Sequence, residues 1–158
     1  MRPTIRRMAT VGVMAMLVAG CASTPQPAST VLDLSGGAPP PPEIDTALAA
    51  RGQDLYLQYC GACHGVDLRG APNWKTPNDD GSYPPPPHDS SGHTWHHSDR
   101  TLIELILNGS EFEQSRMPTF AGRLTEEDVM AILEYLKSEW GESERIYQWQ
   151  NTWQEAGR

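Results

Sequence analysis

Apolar residues recur at helical spacing in four stretches of the chain, and the stretches are separated by segments with no period. From Glu43 or Asp45 to about Tyr59, the positions Ala47, Ala50, Leu55 and Tyr59 predict a first helix. A second is predicted from Asp99 to Leu107, with Leu102, Leu105 and Ile106 as its buried stripe. Ser98 can cap that helix, Asp99 suits the positive end of its dipole, and Asn108-Gly109 stops it. A third begins at Thr125, where Thr125-Glu126-Glu127-Asp128 reads as a capping box. Val129, Ile132, Leu133, Leu136 and Trp140 follow on one face, Met130 reads as core packing near that face, and Gly141 breaks or bends the helix. A last segment, Glu142 to Trp153, places Ile146, Trp149 and Trp153 three and four residues apart and reads as a short amphipathic helix. It either folds back on its own domain or offers a docking surface to another subunit.

No segment alternates convincingly enough to predict a strand, so the expected class is all-α. The 34 residues from Gly65 to Ser98 lack any period. So long a structureless stretch needs something other than its own side chains to pack on.

The N-terminal residues read as an address. Arg2, Arg6 and Arg7 lead into an uncharged apolar run from Met8 to Ala19, which suits a secretory signal over residues 1–20 and is too short to span a bilayer. Val18-Ala19-Gly20-Cys21 resembles a bacterial lipobox, which implies a lipidated Cys21 and a membrane-anchored lipoprotein on the periplasmic side; ordinary cleavage near Ala22 is the alternative. Residues 21–42, rich in Ser, Ala and Pro and ending in Pro39-Pro40-Pro41-Pro42, read as a tether, flexible first and then stiff. The formal net charge is −8, and loss of three arginines with the signal takes it to −11. Such an acidic chain argues against nucleic acid and anionic lipid as electrostatic partners and favours redox proteins with a basic docking face.

The strongest chemical signal is Cys60-Gly61-Ala62-Cys63-His64, the spacing through which c-type haem is attached. Each thiol adds to a haem vinyl group, and His64 is then held under the iron as the proximal ligand. A thioredoxin-like pair expects a βαβ setting, which this chain lacks, and a zinc site expects a second Cys or His pair. Beyond the signal only Met117 and Met130 remain as methionines. Met117, in Arg116-Met117-Pro118 between the second and third helices, is the candidate for the opposite axial position. A haem macrocycle would also supply the surface that the 65–98 segment needs.

With these motifs in place, the region from about Asp45 to Trp140 resembles a class I (mitochondrial-type) monohaem cytochrome c domain. The resemblance implies three to four helices with long loops wrapped around one covalent haem c, in a domain spanning residues 43–141 with a tail over 142–158. It implies that Gly52 in the first helix packs against Tyr135 in the last, that the Pro72 carbonyl accepts the proximal imidazole N–H, and that the haem edge bearing the thioethers is exposed. With both axial positions filled, it implies a one-electron carrier rather than an enzyme.

One segment lies outside that pattern. Residues 88–97 hold four of the five histidines: His88, His93, His96 and His97. They could bind copper or zinc, or sit in a solvated loop, or Trp95 and one or two of them could hydrogen-bond the haem propionates. The rivals to a tethered carrier are therefore a haem subunit of a larger oxidoreductase, a copper-handling lipoprotein and a haem enzyme with a labile Met117.

Overall fold

A computed structural model describes residues 37–157. The signal at 1–20, Cys21 and the first part of the tether lie outside the described residues. Helices α1 (Thr46–Tyr59), α2 (Gly61–His64), α3 (Asp99–Asn108), α4 (Glu126–Ser138) and α5 (Glu142–Ala156) follow in order, with a 3₁₀ turn at Thr94–His96. Among the described residues there is no strand, only an isolated bridge between Ala121 and Leu124. No helix among them is long and apolar enough to cross a membrane.

The starts of α1, α3 and α4 are set by side-chain caps. The Asp45 carboxylate accepts from the amides of Ala47 and Leu48 at 3.0 Å each. Ser98 Oγ accepts from the Thr101 amide at 3.2 Å. At α4 the reciprocal box forms: Thr125 Oγ1 accepts from the Asp128 amide, and Asp128 Oδ2 accepts from the Thr125 amide. Each such cap satisfies amides that the helix itself leaves unpaired.

Helices α1 and α4 pack along their lengths, and the contact is decided by one glycine. A Cβ on Gly52 would lie 1.8 Å from the carbonyl oxygen of Ala131. The buried face of α1 is accordingly Ala49, Gly52 and Tyr56, not the expected Ala47 and Ala50, which are exposed. The face with the least side chain wins, because it lets the two backbones touch. One turn beyond Gly52, Tyr56 is fully buried and meets the ring of Tyr135 edge-on at 5.5 Å. Arg51 pairs with Asp128 across the same helices. On α4, Val129, Ile132, Leu133 and Leu136 are buried as expected, whereas Met130 is 50% exposed. Core packing is therefore corrected for Met130: the buried arc of α4 runs through Val129, Ala131, Ile132 and Leu133, and Met130 faces out of it.

Gly141 ends the α4 region and becomes the N-cap of α5. Helix α5 does fold back on its own domain, and it does so through polar groups. Gln148, 2% exposed, donates to Asp99 Oδ1 at 2.7 Å and to Thr152 Oγ1 at 3.1 Å. Thr152 accepts from the Asp99 amide at 3.0 Å, Lys137 donates to Asp99 Oδ2 at 2.7 Å, and Asn151 donates to the His96 carbonyl at 2.9 Å. The end of the proline run belongs to this folded unit: Trp149 Nε1 donates to Pro39 O at 2.6 Å and Arg145 to Pro42 O at 2.8 Å. Of the expected apolar face, Ile146 and Trp153 remain partly exposed.

Gln148→Leu should detach this latch. It leaves Asp99 Oδ1 short of a partner in a closed setting, at a cost of about 2 kcal/mol. Denaturant unfolding should report that loss, and limited proteolysis should cut faster between α4 and α5. Unchanged stability and unchanged cleavage would refute the latch.

Candidate functional site

The motif that carries the chemistry sits where α1 hands over to α2. Cys60 caps α1, its amide donating to the Tyr56 carbonyl at 2.8 Å, and its own carbonyl accepts from Cys63 and His64 at 3.1 and 3.0 Å. This single turn puts the two sulfurs and the imidazole at one place. Cys60 is buried, Cys63 is exposed, and neither is in a disulfide. Burial, with Cys63 adding to it, pushes the Cys60 thiol up to about 11.

His64 is buried and held from one side. Its Nδ1 lies 2.9 Å from the carbonyl oxygen of Pro86. A carbonyl can only accept, so Nδ1 carries the proton. Desolvation holds the imidazole below its ordinary pKa and the Pro86 bond opposes that only in part, so the ring is neutral. A neutral ring protonated at Nδ1 leaves the Nε2 lone pair free for a metal.

Pro86 corrects the expectation for Pro72, which is exposed and makes no such bond. The reason lies in how the two loops pair. Gly70 donates to the His64 carbonyl at 2.8 Å, Ala71 to Pro85 O at 2.9 Å, and His88 to Leu68 O at 2.7 Å. Gly70, at φ +59°, lies so close to the proline run that a Cβ there would stand 2.5 Å from the Pro86 carbonyl carbon. The 65–71 turn thus docks on Pro85–His88 and brings Pro86 under the imidazole. The Pro84–Pro87 run carried the signal, since prolines offer carbonyls without competing amides.

Cys60, Cys63 and His64 open onto one cavity of about 580 Å³. Met117 lines the same cavity. Its walls are Leu102, Leu105 and Ile106 of α3, Ile132, Leu133 and Leu136 of α4, with Tyr59, Phe120 and the prolines 84–86. Tyr59 and Phe120 meet edge-on at 6.2 Å. Its polar lining includes Lys75, Tyr83, Ser110, Ser115 and Arg116. This donor set fits a haem: two thiols in attachment spacing, a neutral imidazole, a thioether, apolar walls for the macrocycle, and cations for the propionates. Trp74, Lys75, Tyr83, Phe112 and Arg116 were not legible as pocket residues, because the segments that carry them have no period.

A family model described as cytochrome c oxidase, cbb3-type, subunit III, matches residues 47–136. The chain belongs to this family. It is a monohaem cytochrome c domain with the all-α cytochrome c fold, and its chemistry is haem-based electron transfer. No solved structure matches the chain. The matched region ends before α5, so the latch and the docked prolines are additions to the cytochrome c domain.

The four histidines of the 88–97 segment do not converge on one point. His88 stacks on His64, His93 stacks on Trp74 with centroids 5.4 Å apart, and His96 faces Trp95 and Tyr147. Among the described residues no group of three or more His, Cys, Asp or Glu is placed to share an ion, which corrects the second site expected at His88, His93, His96 and His97. His93 and His97 do line the haem cavity. Trp95 does not: its ring meets Tyr147 of α5 edge-on at 5.5 Å, and its Nε1 is buried without a partner. Burial lowers the pKa of His88, His93 and His97, most strongly for His88, so these three rings are neutral at pH 7.

Proposed function

We propose that the chain is a one-electron carrier holding a single haem c, attached through Cys60 and Cys63 and ligated by His64 and Met117. The observation that carries this reading is that all four side chains line the same largely apolar cavity. A bound haem supplies a one-electron iron couple, with little room for other chemistry once both axial positions are filled. The protein's part is to hold and tune it. Pro86 fixes the His64 tautomer, leaving Nε2 to donate. The Met117 thioether, a weak neutral donor, favours the reduced state and raises the potential. Apolar side chains from α3 and α4 exclude water from the ring faces. Cys63, with Val66 beside it at 69% exposure, offers an open edge for electron entry and exit.

Met117→Leu tests the axial assignment. The haem should stay attached, the weak near-infrared band of oxidised His/Met iron should vanish, and the potential should fall within the roughly 0.8 V range that axial ligands span. Survival of that band in the variant would refute Met117.

The carrier works, in this reading, on the periplasmic side of a membrane, tethered by lipid on Cys21. The lipobox-like Val18-Ala19-Gly20-Cys21 supports it. Cys21→Ala should move the protein from the membrane fraction to the soluble one; an unchanged distribution removes the anchor. Its donor and acceptor would be redox proteins with basic faces, given the acidic charge. The family description favours a second reading, a haem subunit of a larger oxidase. The exposed Ile146, Tyr147 and Trp153 of α5 would then be a docking face. Mild extraction followed by size exclusion separates the two: a single-chain mass supports the carrier, and co-purification with oxidase subunits supports the rival.

A further inference from the structure

The segment that hands Pro86 to His64 also supplies a second imidazole. His88 lies two residues further on, its ring stacked on His64 with centroids 3.9 Å apart and planes inclined by 21°. Tyr56 meets His88 edge-on at 5.8 Å. The backbone of His88 is tied at both ends: its amide donates to Leu68 O, and its carbonyl accepts from Trp140 Nε1, each at 2.7 Å. The Nδ1 of His88 is shut off from solvent without a hydrogen-bond partner. No hydrogen bond therefore holds the ring by that atom; its contacts with His64 and Tyr56 do.

One carbonyl does not orient an imidazole completely. The Pro86 bond limits how the ring turns about its Nε2–metal axis, but only loosely, since hydrogen bonds tolerate wide angles at the acceptor. A flat ring pressed on one face removes that freedom. The geometry points to His88 as a positioning residue that fixes the rotation of the His64 imidazole about its bond to iron. This rests on His64 being the proximal ligand. The rotation matters because it decides which iron d orbitals the imidazole π system meets, and partners beyond the ligands tune a metal through such orientation.

The test uses the full haem-loaded chain. His88→Phe keeps a flat ring, and His88→Leu keeps bulk without one. In the oxidised protein, His88→Leu should shift and broaden the largest g value in the electron paramagnetic resonance spectrum and move the midpoint potential. His88→Phe should leave both near the native values. A purely structural role would lower thermal stability without moving g. Identical g values in all three proteins, or equal shifts in both variants, overturn the inference. Should His88→Leu not mature, the native reduced protein decides: nuclear Overhauser contacts between the ring protons of His64 and His88 support the stack, and their absence overturns it. A colourless product from the native gene would instead overturn the haem reading, so the two failures are distinguishable.

Discussion

A chain carrying Cys60→Ala and Cys63→Ala should fail to hold this fold. The substitutions themselves are small: Cys63 is exposed, and Cys60 loses one sulfur. What they remove is the covalent hold on the group that fills the cavity. A cleft of about 580 Å³ walled mainly by apolar side chains would be left unfilled, and each Å² of that wall left in water forgoes about 25 cal/mol. Whole domains of this size are stable by only about 5–15 kcal/mol. Collapse or water entry would lower that cost, but each would dismantle the walls that α3 and α4 present. The expected product is colourless, has lost its near-ultraviolet circular dichroism, and melts without a cooperative transition. Cys63→Ala alone keeps one thioether and should retain colour with weaker haem retention. A double variant that unfolds cooperatively with a native near-ultraviolet spectrum would show that the helices carry the fold without the haem.

That dependence explains which parts of the molecule were legible in the sequence. Helices α3 and α4 were read nearly to their ends because Ser98, Asn108-Gly109 and the Thr125–Asp128 box act locally. Cys60, Cys63, His64 and Met117, which line one cavity, were legible for a similar reason: a Cys-x-x-Cys-His spacing and a loop methionine stand out whatever surrounds them. The misreadings arose where a partner distant in sequence decides. The buried side of α1 is chosen by the Ala131 carbonyl, which selects Gly52 over a stripe that looks more apolar. The proximal acceptor is chosen by the docking of Gly70 on the proline run, which brings Pro86 rather than Pro72 to His64. Length and composition of the 65–98 segment announced that it packs on something, but nothing in its sequence orders which side chains face that surface.

Gly52→Ala should be among the most damaging single substitutions outside the attachment motif. The added methyl would stand 1.8 Å from the Ala131 oxygen, 2.5 Å from its carbon and 3.0 Å from the Ile132 nitrogen. These are backbone atoms of a hydrogen-bonded helix, so no rotamer change relieves the clash. Helices α1 and α4 must move apart by more than 1 Å, on the order of the overlap with ordinary contact distance. Separation there loosens Tyr56 from Tyr135 and opens the wall that Ile132, Leu133 and Leu136 give to the haem cavity. In a helix with no such neighbour, glycine to alanine would stabilise by about 1 kcal/mol. Overpacking of a rigid site costs about 1–3 kcal/mol, and a backbone-to-backbone clash belongs at the upper end, so after that gain the net loss should be about 2 kcal/mol at the contact. Denaturant titration of the matured protein measures it, alongside Ala49→Gly as a neighbour on the same face. Gly52→Ala with native stability would mean that α1 and α4 do not meet backbone to backbone, and the site they frame would need a different architecture.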